Sequence, residues 1–123
     1  MSAEPQGCRF TKAMRLAHAR EYDRVFAEGT RVRVEGLSIW GLRNGRSSSR
    51  LGLSVGRKYG GAVQRNRLKR LIRDAFRINW RLLPVPCDLV IAPRPGAGAP
   101  SLKKVEAAFC EALKKLEQTF AAG

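Results

Sequence analysis

Leu51–Arg81 reads LGLSVGRKYGGAVQRNRLKRLIRDAFRINWR, and its two parts follow different periods. Leu51, Leu53 and Val55 alternate with Gly52 and Ser54, the two-residue repeat of a strand. Gly56, Gly60 and Gly61 then interrupt the chain. A helical repeat is predicted from about Ala62 to Trp80. At ~100° per residue, Leu68, Leu71, Ile72, Ala75 and Ile78 share one arc. Arg65, Lys69, Arg73 and Arg77 step by four along the other side, with Arg70 and Arg81 beside them. Asp74 is the only acid between Arg43 and Arg81. Solvated helices usually interleave Glu with Lys, because like charges four apart repel by a few tenths of a kcal/mol per pair. A row that repeats the repulsion along a whole helix is better matched to a polyanion than to bulk water.

The whole chain carries the same bias. Twenty-four Lys and Arg against ten Asp and Glu leave a formal charge of +14 on 123 residues, 44% of them hydrophobic. These values describe one domain with a modest core and an anionic partner, either nucleic acid or a membrane surface. No apolar run approaches the ~20 residues of a membrane span. The opening MSAEPQGCRF also lacks the apolar centre of a secretory signal. A cytoplasmic location without a membrane partner is therefore expected. Cys8, Cys87 and Cys110 are odd in number, widely spaced and free of any C-x-x-C pair, so reduced thiols are expected rather than a disulfide framework or zinc site.

Residues 1–9 are expected to form a mobile tail and residues 10–120 a single domain. Leu16 to Glu28, LAHAREYDRVFAE, reads as a first helix ended by Gly29. Tyr22, Val25 and Phe26 fall at i, i+3 and i+4 and share a face, which by spacing alone places both rings in the core. His18, the only histidine, reads as a helix surface residue. Thr30 to Val34 and Leu37 to Leu42 read as strands separated at Glu35-Gly36. Strand alternation sends Leu37 and Ile39 with Leu51, Leu53 and Val55 to the core, and Trp40 with Ser38 to the opposite face. Arg43 to Ser49, containing Asn44-Gly45, reads as a hairpin loop to the third strand and as a mobile, basic edge.

Leu83-Pro84-Val85-Pro86 closes the basic helix. Cys87 to Ala92 is almost continuously apolar, as in a strand covered on both faces. Pro93 to Pro100 reads as a loop, and Ser101 caps a last helix to about Phe120. Leu102, Val105, Phe109, Ala112, Leu116 and Phe120 mark its buried stripe, while alternating Glu and Lys make its other side ordinary solvated cover. The order α-β-β-β-α-β-α gives a small α+β two-layer sandwich. A parallel pairing of the third and fourth strands would ordinarily cross over right-handedly.

No catalytic constellation is present in the sequence. Carboxylates near the basic helix are too few for a two-metal site. There is no Ser/His/Asp or Cys/His set and no phosphate-cradling G-x-x-x-x-G-K-S/T. Binding is expected of this chain, whereas chemistry by this chain alone is not. A self-sufficient nuclease is disfavoured for the same reason. Strands on both sides of the basic helix argue against a helix-turn-helix reader, and no DNA partner is expected.

Arg65-Asn66-Arg67, followed by Leu68-Lys69-Arg70-Leu71-Ile72-Arg73 and Phe76-Arg77, resembles the RNR signature of the bacterial ribonuclease P protein subunit. Gly52-Leu53-Ser54-Val55, Arg57-Lys58 and Ala62-Val63 match that family's lead-in, and Glu21-Tyr22-Asp23-Arg24-Val25-Phe26 its E-aromatic-x-x-V-F helix. The resemblance implies a left-handed βαβ crossover. It also implies a protein that binds a catalytic RNA and the 5′ leader of precursor tRNA, in an endoribonuclease whose centre and Mg²⁺ ions belong to the RNA. On this resemblance Arg57, Lys58, Arg65, Asn66, Arg67, Lys69, Arg70 and Arg73 contact the catalytic RNA. Tyr22, Phe26, Ser38 and Trp40 line the leader cleft. No metal ligands are assignable, although Asn66 can reach a metal-bound water because it both donates and accepts. Gly61 stands where the family often has a polar or basic residue. A structural RNA-binding protein of ribosomal type would have the same size and charge. What such a scaffold does not need is Tyr22, Phe26 and Trp40 converging beside the basic helix.

Overall fold

The computed structural model describes residues 12–34, 36–83, 85–94 and 101–122. The expected tail, Cys8 and most of the Pro93–Pro100 loop lie outside those residues. The elements run α1 (Ala19–Glu28), β1 (Thr30–Val34), β2 (Leu37–Arg43), β3 (Arg50–Leu53), α2 (Ala62–Asn79), β4 (Cys87–Pro93) and α3 (Leu102–Ala122), in the expected order. Short 3-10 turns at Lys12–Met14, Arg57–Tyr59 and Trp80–Leu82 lie between or before them.

The four strands form one sheet in the order β1-β2-β4-β3, with β3 and β4 parallel and the other pairs antiparallel. This arrangement corrects one expectation. Asn44-Gly45 does not close a hairpin, because β4 inserts between β2 and β3. Residues 87–91 of β4 are all buried, and a strand covered on both faces gains most where it is also paired on both edges. Hydrogen bonds anchor both ends of the 44–49 connection, while residues 45–47 are exposed. Asn44 N donates to Pro86 O at 3.2 Å, and the buried Ser49 Oγ accepts from Cys87 N at 3.0 Å. Gly45 supplies the positive φ of 66° that turns the chain across the end of β4.

One face of the sheet packs on α2 and α3, forming the main sandwich. Val32, Val34, Leu37, Ile39, Leu51, Leu89 and Ile91 meet Leu68, Ile72, Ala75 and Phe76 of α2 and Val105, Phe109, Ala112 and Leu116 of α3. Phe76 and Phe109 join the two helices edge to face, with ring centroids 6.2 Å apart. Leu68, Ile72 and Ala75 of the expected α2 arc are buried and Leu71 packs against the core, but Ile78 does not join them. Phe76 is fully buried, whereas Ile78 is 46% exposed at the end of the helix. On α3, Ser101 Oγ accepts from Lys104 N at 3.3 Å, as expected of a capping serine.

Helix α1 lies alone on the opposite face. It is shorter than the Leu16–Glu28 helix expected from sequence, because Leu16 belongs to the sheet's margin. Arg15 bridges to Leu51 in parallel, and Leu16 N donates to Leu51 O at 3.0 Å. At its other end Gly29 N donates to Val25 O at 2.8 Å. A Cβ on Gly29 would stand 2.5 Å from Val25 O and 3.1 Å from Gly41 O, so close backbone approach is what requires glycine there. Among the described residues no helix is long and apolar enough to cross a membrane.

Candidate nucleic-acid interface

The residues of α1 cross the strands one after another. Tyr22 rests on β3, Val25 shares a buried cluster with Val90 of β4, and Phe26 meets Trp40 of β2. Tyr22 can lie flat because Gly52 has no side chain. A Cβ at that position would stand 2.8 Å from the Tyr22 ring and 2.9 Å from Leu16. Tyr22 Oη then accepts from Leu53 N at 3.2 Å. Phe26 remains 40% exposed and sits edge-on to Trp40, with centroids 4.8 Å apart at 89°.

Strand register completes this face. Arg31 pairs with Trp40 and Arg33 with Ser38 across β1 and β2, while Trp40 pairs with Val90 and Ser38 with Ala92 across β2 and β4. Paired residues share a sheet face, so Arg31, Arg33, Ser38 and Trp40 stand together opposite the main core. The Arg31 guanidinium lies 5.1 Å from the Trp40 ring centroid, a cation–π distance. Ser38 shares the face but is only 4% exposed. Sequence reading missed Arg31 and Arg33. The alternation Thr30-Arg31-Val32-Arg33-Val34 was the available signal, since burying the valines on α3 sends both arginines to the aromatic side.

The cationic row of α2 reaches the β3 edge of the sheet, where Tyr22 rests. Tyr22, Lys69, Arg73, Arg15 and Leu53 line a cavity of about 200 Å³. Asn66, Arg67 and Arg70 are exposed on α2, and Arg57 and Lys58 are exposed in the turn before it. Arg65 is half-buried on the helix. The cavity thus brings Tyr22 together with Lys69 and Arg73, while the remaining predicted cations stand on α2 and its lead-in.

Beneath α1 lies an ionic network that the sequence did not announce. Arg50 Nη1 bonds Glu21 Oε2 at 2.7 Å, and Arg50 grips Asp88 with Nη2 to Oδ2 at 2.7 Å and Nε to Oδ1 at 2.8 Å. Asn44 Nδ2 donates to Asp88 Oδ1 at 2.9 Å. Glu21 also accepts from Ala17 N at 3.1 Å and His18 N at 3.2 Å, which fixes the start of α1. Those backbone donors and then Arg50 hold the Glu21 carboxyl down at about 2 from 4.5. A depressed carboxylate contributes stability that is complete above the unfolded value near 4.5 and is lost as pH falls through about 2. The thermal midpoint should therefore decline between those pH values. Glu21→Gln, which keeps an acceptor but has no charge to titrate, should flatten that decline; an identical profile would remove Glu21 from the network's energetics.

Fold and surface define a class: a small basic α+β protein that sets a cationic helix beside an open sheet face walled by aromatic rings. The family model described as Ribonuclease P matches residues 10–117. The chain is 43% identical over 88 residues to the ribonuclease P protein component of Desulfotalea psychrophila, covering 72% of this chain and 73% of that one. It is 39% identical over 112 residues to that of Pseudomonas putida, covering 89% and 84%. Among solved structures it is similar to the RNase P protein from Thermotoga maritima, with a TM-score of 0.74 and 33% identity over 82% of this chain and 96% of that one. The Staphylococcus aureus RNase P protein gives a TM-score of 0.74 and 27% identity, covering 84% and 94%. The chain belongs to the ribonuclease P protein family. Its relatives are protein components of that endoribonuclease, and membership implies an RNA partner within the complex.

Proposed function

We propose that this chain binds the catalytic RNA of ribonuclease P through α2 and its lead-in, and holds the 5′ leader of precursor tRNA on the α1 side of the sheet. It thereby assists endonucleolytic removal of the leader to give the mature tRNA 5′ end. The observation that carries this reading is the placement of the Phe26–Trp40 pair and Arg31 on a sheet face whose margin is bordered by Lys69 and Arg73. A ribosomal-type scaffold has a use for the cations but none for an exposed ring beside them.

Arg57, Lys58, Arg65, Arg67, Lys69, Arg70 and Arg73 supply positive charge to the phosphate backbone of the catalytic RNA, which lowers the cost of bringing two polyanions together. Exposed Asn66 adds a group that can also accept, suited to a ribose hydroxyl. Tyr22, Phe26 and Trp40 offer ring surfaces to unpaired leader bases with little demand on their sequence. Ser38 contributes to the floor. The described residues contain no group of three or more His, Cys, Asp or Glu able to hold a metal ion. On this reading the Mg²⁺ ions are held mainly by the catalytic RNA, with Asn66 able to reach a metal-bound water. On this reading the protein works in the cytoplasm and has no membrane partner.

The direct test adds purified chain to a catalytic RNA at low Mg²⁺ and follows precursor tRNA cleavage. Cleavage should rise with the chain and be absent with the chain alone. Site-specific cleavage by RNA-free, nuclease-free protein would overturn this division of labour. The helix is tested separately with Arg65→Ala and Arg67→Ala. Each lost phosphate contact should lower the slope of log K against log salt by about one. Unchanged slopes in both variants would reduce α2 to a solvated face.

A further inference from the structure

A second cavity, of about 340 Å³, opens where the N-terminal half of α1 meets the end of β2 and the 44–49 connection. It lies on the far side of α1 from the aromatic pair. At 100° per residue Arg20, Glu21 and Arg24 occupy the helix flank that Tyr22 and Phe26 do not. Arg20, Arg24, Arg43, Arg46 and Arg50 line it, against two acids, Glu21 and Asp88, leaving a surplus of three positive charges.

Both acids are already engaged. Arg50 occupies both oxygens of Asp88 and one of Glu21, and Asn44 bonds Asp88 as well. Arg50 thus leaves the cavity floor with a net charge of one negative, beneath four further guanidinium groups. Arg43 is held in place, since its Nη2 donates to Phe120 O at 2.6 Å and its guanidinium stacks 5.2 Å from the Phe120 ring. Arg24 has only a loose, exposed contact with Glu28 at 3.8 Å. Arg20 and Arg46 are exposed. The space far exceeds the ~30 Å³ share of one water and suits a phosphodiester group, which guanidinium forks match in shape and charge.

We propose that this pocket binds an RNA phosphate as a site separate from both α2 and the aromatic face. The inference rests on the reading that the chain binds the RNAs of ribonuclease P. It adds a contact that the RNR helix and leader cleft do not supply. The phosphate belongs either to leader nucleotides that pass over α1 or to the catalytic RNA, and the two sources are separable.

The test compares full-length wild type, R20Q/R46Q, R20K/R46K, K103Q/K104Q and R65A/R67A. Each is titrated across salt with three RNAs: the catalytic RNA, precursor tRNA with a long leader, and precursor tRNA with a leader of a few nucleotides. Thermal midpoints are recorded alongside. R20Q/R46Q should keep the wild-type midpoint and lose about one to two units of log K–log salt slope on one RNA, at ~0.7–0.9 per phosphate contact. A loss on the catalytic RNA assigns the phosphate to it, and a loss only on the long-leader substrate assigns it to the leader. R20K/R46K should keep the slope and lose affinity several-fold, because lysine keeps charge but not the fork. The proposal is overturned if R20Q/R46Q matches wild type while R65A/R67A loses slope. It is equally overturned if K103Q/K104Q, exposed on α3, loses as much as R20Q/R46Q, since net charge alone would then explain the effect. Unchanged slopes in R65A/R67A as well would bring down the broader RNA-binding reading.

Discussion

Arg50→Met should lower the free energy of unfolding by ~3–5 kcal/mol, the usual cost of removing one partner from a buried ion pair. Asp88 is 8% exposed and the Arg50 side chain 12% exposed. Without the guanidinium, Asp88 keeps Asn44 as a side-chain donor, and Glu21 keeps its two backbone donors. The loss should reach function as well, because this arginine connects three elements. It ties α1 to β3 and β4, and α1 carries Tyr22 and Phe26. Chemical denaturation of wild type, Arg50→Met, Asp88→Asn and Arg50→Met/Asp88→Asn measures the effect. The double variant removes the uncompensated charge at Asp88, leaving Glu21 to its two backbone donors, and should recover part of the loss, as coupled neighbours do. A single variant within about 1 kcal/mol of wild type, or a double variant whose loss is simply additive, would show that solvent rather than Arg50 stabilises Asp88.

Much of the architecture was legible because each element carries its own period. The one-sided cations of α2, the alternation of Leu37, Ile39 and Trp40, and the continuous run of β4 each identify an element from nearby residues alone. The faces followed: Ile39 lies in the main core and Trp40 on the opposite side, as alternation requires. What failed was long-range. Asn44-Gly45 is a strong local hairpin signal, yet strand order depends on where β4 finds two partners, and β4 comes more than forty residues later. On α2, Phe76 and Ile78 lie equally far from Leu68 at 100° per residue, and the core took Phe76, which meets Phe109 of α3.

The same limit applied to the site. Arg57, Lys58 and the α2 cations could be selected from an imbalance of charge along one helix. Glu21, Arg50 and Asp88 each look unremarkable in sequence, being single charges separated by 29 and 38 residues. Their significance depends on folding, which removes them from water together. Asp88 within an apolar strand was the one local anomaly, since a carboxylate is almost never fully buried unless paired. Searching for its partner would have pointed to an arginine on the strand next to it.

Phe26→Ala should weaken binding of precursor tRNA by ~1–3 kcal/mol, the range for loss of one base–aromatic stack, or roughly 5- to 150-fold. It should leave mature tRNA, which has no leader, unaffected. The structure makes this substitution a clean probe. A buried phenylalanine cut to alanine opens a cavity and costs ~3–5 kcal/mol of stability, but Phe26 is 40% exposed and meets the Trp40 ring at 4.8 Å. Losing such an edge-to-face pair costs ~0.5–1.5 kcal/mol beyond burial, so most of the chain should remain folded at assay temperature. Trp40 keeps Arg31 at 5.1 Å, which limits collapse of the face. Both affinities should be measured with the thermal midpoint of the same preparation. Equal losses for the two tRNAs, with a large fall in midpoint, would place Phe26 among the structural residues of α1 and leave the leader without its ring.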